Sequence, residues 1–323
     1  MNWYPLTFDP IYKDKIWGGN KLNVLKHVQP PIPKLGESWE ISDVGDDVSI
    51  VSQGLLEGKS LKWILENHGK EVMGKRVFDR FGTQFPILIK YIDATQDLSI
   101  QLHPDDKMAM AKHDSFGKTE MWYVMDADQE ARLTLGFKEA CDKFAFAKAI
   151  QNNRLPALLN SEQVKPGDCF FIQPGFVHAI GAGITLAEIQ QSSDITYRVY
   201  DYDRRDDQGV PRDLHIDESI AAADYSKAVN HQLQYDRDTQ GRQELTKTEY
   251  FETDILQFEG TSRIELQTDN SFTILMNVGE DCNLLQEGTS YPFHNSQTYL
   301  IPATMEDLSV ACSGNGKLLV VHL

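Results

Sequence analysis

Helical spacing survives in only three stretches of this chain, Ser60 to Arg80, Lys138 to Asn152 and Asp217 to Tyr225, and nearly everything else falls into short alternating or apolar segments broken by Gly, Pro, Asn and Asp. Runs of that kind, rich in β-branched and aromatic residues, bury a face each and need a second sheet or a closed barrel to cover it. The sequence therefore predicts strands at Phe85 to Ile92, Leu98 to His103, Glu120 to Met125, Ala131 to Gly136, Cys169 to Gln173, Ile184 to Gln190 and Thr196 to Tyr202. Further strands are expected at Tyr250 to Phe258, Ser271 to Val278, Thr298 to Ile301 and Lys317 to Leu323. In the first helical stretch Ser60 is the expected N-cap, Leu61, Ile64 and Leu65 form the apolar stripe, and Gly82 follows as the C-terminal glycine.

The fold expected is mainly β, a barrel with a few helices plus a smaller C-terminal all-β unit. The polar stretch Tyr235 to Gln243 sets the boundary, giving residues 1–234 as the chemically loaded domain and 235–323 as a candidate degenerate copy of it.

A formal charge of −17, spread along the chain, argues against nucleic acid and anionic membrane as partners. The opening MNWYPLTFDP has neither a basic n-region nor an apolar h-region, and the chain has no run of about 18 apolar residues, so a cytoplasmic protein is expected. Cys141, Cys169, Cys282 and Cys312 form no C-x-x-C pair and are read as reduced and structural. Oligomeric state is left open. An anionic substrate would need local Lys or Arg against the overall field.

Chemistry concentrates in three segments. In Leu98-Ser99-Ile100-Gln101-Leu102-His103, alternation puts Leu98, Ile100 and Leu102 on one face and Ser99, Gln101 and His103 on the other, with Pro104 ending the strand. A barrel can point such a polar row inward. In Gly117-Lys118-Thr119-Glu120-Met121-Trp122-Tyr123 an extended chain places Lys118, Glu120 and Trp122 together, and Pro174-Gly175-Phe176-Val177-His178 is a corner that aims His178 into the barrel mouth. Two imidazoles and a carboxylate from separate strands suit Zn²⁺, Fe²⁺, Mn²⁺ or Co²⁺, and Gln101 could add an uncharged fourth ligand while leaving room for substrate. Each piece alone has an ordinary explanation, since a lone strand-end His is more often a hydrogen-bonded structural residue. That reading is kept for His113, His215, His231, His294 and His322, whereas the shared inward faces move His103, Glu120 and His178 to the metal reading.

These segments, together with Trp17-Gly18-Gly19, Gly36-Glu37-Ser38-Trp39-Glu40-Ile41-Ser42, the Pro174 to Gly181 corner and Ser193-Asp194-Ile195-Thr196-Tyr197-Arg198, resemble the type I mannose-6-phosphate isomerases of the short bacterial kind, in the cupin superfamily. The resemblance spans roughly the first two thirds of the chain; the P-G-x-x-H corner is shared by many cupins of unrelated function, whereas SIQLHP with GKTEMWY is far more discriminating. It implies a cupin-type barrel (jelly roll), a zinc ion on Gln101, His103, Glu120 and His178 with other divalent metals also admissible, and a hexose 6-phosphate substrate. The implied reaction interconverts mannose 6-phosphate and fructose 6-phosphate, moving a proton between C1 and C2 through an enediol. On this resemblance Arg198 is the active-site arginine and Asp194 its acidic companion, on one face with it if that segment is extended.

Lys118 is assigned to phosphate or substrate hydroxyls, or alternatively to proton transfer, and Ser99 to the phosphate. Lys118, a metal-bound hydroxide and Asp194 remain open as the base. Trp39 reads as a core aromatic and Glu40 as a candidate pocket residue, both outside the site set. The short interval between Glu120 and His178 leaves little room for the long helical insertion of larger relatives, so phosphate contacts drawn from it must come from elsewhere. Two other functions fit parts of the pattern: a sugar-phosphate binding or sensor protein without turnover, and an Fe²⁺ cupin dioxygenase, against which Lys118 and Arg198 argue.

Overall fold

The computed structural model describes residues 1–206, 208–229, 231–268 and 270–323. Its ladders are antiparallel and build three large sheets. In the first, the order is Ile11–Gly19, Leu35–Ile41, Ile87–Ala94, Ile184–Gln191, Glu120–Ala127, Cys169–Ile172 and Gln232–Leu233. The second runs Tyr197–Tyr200, Ile100–Leu102, His178–Ile180, Arg132–Phe137 and Leu159–Gln163. The two face each other, and Ile92, Trp122, Val124 and Leu186 of the first pack against Leu133, Leu135 and Ile180 of the second.

Both faces of the first sheet are covered, which is why its strands read as nearly continuous apolar runs. Along Glu120–Ala127, Trp122 and Val124 point to the barrel interior, while Met121 and Tyr123 join a second core with Ile89, Tyr91 and Ile189. That second core is closed by the third sheet, through Ile274, Met276, Leu318 and Val320, and by Leu61, Ile64 and Val72 of the helix Leu61–Met73. The third sheet orders Gly241–Lys247, Glu252–Arg263, Ser309–His322, Thr273–Asn277 and Thr298–Ile301, with Cys282–Gln286 and Thr289–Phe293 folded onto it. A third cluster covers the outer face of the second sheet, where Ile100, Leu102 and Tyr197 meet Phe146 and Leu155.

Several expectations shift on inspection. The stretch Ser60 to Arg80 is two helices, Leu61–Met73 and Lys75–Phe81, split at Gly74. Gly74 has φ +80°, and a Cβ there would lie 2.6 Å from the Asn270 backbone, so only glycine permits the turn. Ser60 caps the first helix, its Oγ accepting from Trp63 N at 3.1 Å, and Gly82 ends the second, its N–H donating to Phe78 O. Leu98 departs from its predicted face: the strand begins only at Ile100, and Leu98 packs inside the barrel while Ile100 and Leu102 pack outside. All four cysteines carry free thiols, and among the described residues no helix is long and apolar enough to cross a membrane.

Candidate metal centre and substrate cavity

His103 leaves the strand Ile100–Leu102 at Pro104, His178 opens His178–Ile180, and Glu120 opens Glu120–Ala127, so three strand ends deliver three side chains to one point. The three are fully buried, with ligand atoms all within 4.8 Å of one another. His103 donates from Nδ1 to Ile195 O at 2.9 Å, and His178 from Nδ1 to Phe176 O at 2.8 Å. Each backbone carbonyl thereby fixes the tautomer and turns the lone pair of Nε2 inward. His103 Nε2 lies 3.5 Å from Glu120 Oε2, and His178 Nε2 lies 3.5 Å from Glu120 Oε1. The edge of Trp122 against the His178 ring, centroids 5.3 Å apart, holds that imidazole in place.

Burial pushes the His103 imidazolium down to about 4, with the neighbouring Lys118 ammonium acting in the same direction, and burial likewise lowers His178. For Glu120 burial pulls upward, but Lys118 and the two imidazoles outweigh it and hold the carboxyl well below its usual range. Neutral imidazoles beside an ionised carboxylate are the form a cation needs. Among the described residues, neither Glu120 Oε1 nor His178 Nε2 has a hydrogen-bond partner. A buried acceptor left bare costs about 1–3 kcal/mol, a cost that a bound cation removes. The donor set, two nitrogens and a carboxylate without thiolate, fits a divalent metal, and these observations together mark a divalent-metal site.

The other expected residues gather around it to different degrees. Gln101 is half-buried, paired across the ladder with both His178 and Arg198, and lines a cavity of about 380 Å³ together with Lys118. Ser99 is buried and donates to Gln101 Oε1 at 3.2 Å while accepting from Arg198 Nε at 3.3 Å, so it links Gln101 to the arginine. Lys118 is buried too, its Nζ bonded to Glu120 Oε2 and 3.1 Å from His103 Nε2. Asp194 is exposed and rims the cavity. It is not the partner of Arg198, whose guanidinium donates to Ser99 and to Asp213 O at 2.9 Å; the strand starts at Tyr197, so residue 194 lies in a loop and strand alternation does not reach it.

Sequence reasoning missed the charged lining of the first sheet. Lys90 is buried, 3.3 Å from Glu188, which also accepts from Trp122 Nε1 at 2.9 Å. Glu37 accepts from Trp39 Nε1 at 2.7 Å and lies 3.3 Å from Lys15; burial raises its carboxyl, but Lys90 and Lys15 bring it down to about 2. The signal was present as a single charge inside an apolar strand, Lys90 in ILIKYIDA and Glu188 in ITLAEIQQ. Glu40 points the other way, paired with Lys26 at 2.7 Å, whereas Trp39 lines the cavity. Alternation accounts for both: Glu37 and Trp39 share the cavity face, and Ser38, which bonds Glu40, shares the other. Arg212 and His215 reach the cavity from an irregular segment that no local pattern announces. The remaining histidines are held by ordinary contacts, as His113 is by the Tyr197 hydroxyl at 2.9 Å.

Residues 6–142 match the phosphomannose isomerase type I catalytic domain. Over its whole length the chain is 35% identical to a putative mannose-6-phosphate isomerase of Bacillus subtilis, covering all of that protein. It is 41% identical to a mannose-6-phosphate isomerase of Streptococcus mutans across 70% of each chain. The crystal structure of the mannose 6-phosphate isomerase from Bacillus subtilis superimposes with a TM-score of 0.87 at 31% identity, covering 99% of this chain and 100% of that one.

Proposed function

The chain belongs to the type I phosphomannose isomerase family, and from that premise we propose that it interconverts mannose 6-phosphate and fructose 6-phosphate with a zinc ion held by Gln101, His103, Glu120 and His178. The observation that carries the reading is a buried His, Glu and His triad in which Glu120 Oε1 and His178 Nε2 have no hydrogen-bond partner among the described residues, beside a buried lysine that lines a cavity with Arg198 and Arg212. When bound, the ion supplies Lewis-acid stabilisation of the negative charge that develops as the proton leaves carbon. Lys118 lies within hydrogen-bond reach of two ligand atoms, which is the placement a group moving the proton between C1 and C2 needs. Asp194, on the rim, is the other carboxylate open to that role.

Charge pairing orients the substrate. Lys13 is paired with Asp47, Lys15 with Glu37, Lys90 with Glu188 and Lys118 with Glu120. Among the described residues Arg198 has no carboxylate in its hydrogen bonds, and Arg204 and Arg212 share the carboxylate of Asp201. Burial and then the nearby Arg212 lower the Arg198 guanidinium, the sign of two cations held close together. A phosphate dianion relieves that repulsion, so the phosphate goes to Arg198, Arg212 and Ser99 and the C1–C2 end goes to the triad. Replacing Arg212 by Ala is expected to raise KM for mannose 6-phosphate roughly 10- to 100-fold, the worth of about 1.5–3 kcal/mol for a charged hydrogen bond, with kcat nearly unchanged. Steady-state kinetics on purified variant decide this, and an unchanged KM removes Arg212 from the anchor.

Residues 1–234 form the catalytic unit in this reading and 235–323 a C-terminal β unit, since among the described residues Leu6 to Leu300 is the one β-bridge that joins the sheet spanning 241–322 to the other sheets' part of the chain, although the two share a core. Four free thiols accord with a reducing cytoplasmic setting. A coupled assay for fructose 6-phosphate tests the function, on protein stripped by chelator and reloaded with zinc. Restored turnover is expected; zinc bound without product would favour a sensor, and oxygen uptake a dioxygenase.

A further inference from the structure

The segment that carries Lys118 is fastened by side chains from outside it. Gly117 N donates to Asp106 Oδ1 at 2.7 Å, and Thr119 N donates to Gln191 Oε1 at 2.8 Å. Gln191, buried at the end of the strand Ile184–Gln191, returns its own N–H to Thr119 O at 3.1 Å and donates from Nε2 to the same Asp106 oxygen at 2.9 Å. Gly117 presses so closely on the start of the helix Asp106–His113 that a Cβ would come within 2.6 Å of Asp106 N. Asp106 has a further neighbour from the third sheet. The phenol of Tyr250, in the turn between Gly241–Lys247 and Glu252–Arg263, lies near the Asp106 carboxylate, and burial together with that charge pushes it up to about 12. The same turn accepts from Arg80 at Glu249 O, 2.8 Å away, and Phe81 beside it sets its ring edge against Phe116 at 6.0 Å.

We propose that Asp106 is a positioning residue for Lys118: with Gln191 it holds the backbone of residues 117–119 so that the ammonium meets Glu120 and His103. The inference rests on the role proposed for Lys118. A lysine has a long flexible stem, so its head is placed only as well as its backbone is held. A displacement of about 1 Å at a reacting group costs on the order of 100-fold in rate.

The test compares Asp106→Ala, Asp106→Asn and Gln191→Leu by amide hydrogen exchange over residues 114–120, read by mass spectrometry in metal-free and zinc-loaded protein, alongside kcat, KM and zinc content. Asp106→Ala is expected to speed exchange at Gly117 and Thr119 and to lower kcat by about tenfold or more, with zinc content and KM little changed. Asp106→Asn, which keeps an accepting oxygen, restores both readouts. Gln191→Leu removes the acceptor of Thr119 N and shows the same changes in smaller measure. Wild-type kcat in Asp106→Ala, or a fall in kcat with unchanged exchange at 117–119, overturns the proposal. If Asp106→Ala does not fold, Gln191→Leu carries the test, and wild-type exchange and kcat there overturn the proposal. The exchange readout does not depend on turnover, so an inactive wild-type protein would sink the isomerase reading while leaving the anchoring measurable.

Discussion

Replacing His178 by Ala is expected to remove bound zinc and turnover together. His178 brings a buried Nε2 without a hydrogen-bond partner, opposite the equally bare Glu120 Oε1, and among the described residues His103 is the one other imidazole at that point. Even partners one step removed from a metal change its affinity by about 10- to 100-fold, so losing a direct ligand should exceed that. Lewis-acid stabilisation is worth several kcal/mol in the transition state, which corresponds to a fall in kcat/KM of roughly 1,000-fold or more. The fold should survive, because the metal-free variant loses one unsatisfied buried acceptor and retains the barrel core. Zinc raises the melting temperature of a protein that binds it only when folded, so the wild type should gain several degrees on reloading and His178→Ala should not. Metal analysis after dialysis gives the direct answer: zinc held at wild-type affinity by the variant would rule out His178 as a ligand.

How much of this was legible in the sequence depended on whether the signal was local. Glu120 and Trp122 sit together because a regular strand alternates, and Lys118, two residues before that strand begins, joins them through its bond to Glu120. The same rule misplaced Leu98 and the pairing of Asp194 with Arg198, both of which lie before a strand starts, where alternation has no hold on direction. Glu40 was misread for another reason: alternation separates it from Trp39 but does not say which face meets the cavity, and with both faces of the sheet covered the aromatic took the pocket. The break at Gly74 was hidden inside an apolar stripe of helical period, and only the approach of the Asn270 backbone makes glycine necessary there. Arg212 and Asp201 come from irregular segments outside the strands. Their meeting with the site is set by how three sheets pack, which no window of a dozen residues contains.

Lys118 is the residue whose replacement best separates chemistry from binding. Its Nζ shares the lone pairs of Glu120 Oε2 and His103 Nε2, the same electrons a divalent ion requires. Lys118→Met keeps an unbranched stem of similar length and removes the charge, so zinc affinity is expected to be retained or to rise. Turnover should nevertheless fall by roughly 100- to 10,000-fold, the range a positioned proton-transfer group supplies. Lys118→Arg should not rescue it, because a guanidinium stays protonated and its planar fork does not reproduce a compact amine in a buried position. Incubating each variant with substrate in D₂O and following label at C1 and C2 by NMR isolates the proton transfer from product release. Loss of label exchange in step with kcat, at unchanged KM, assigns the proton transfer to Lys118. A raised KM with kcat and label exchange intact would instead put Lys118 with Arg198 among the groups that anchor the substrate, and would leave Asp194 as the residue to replace next.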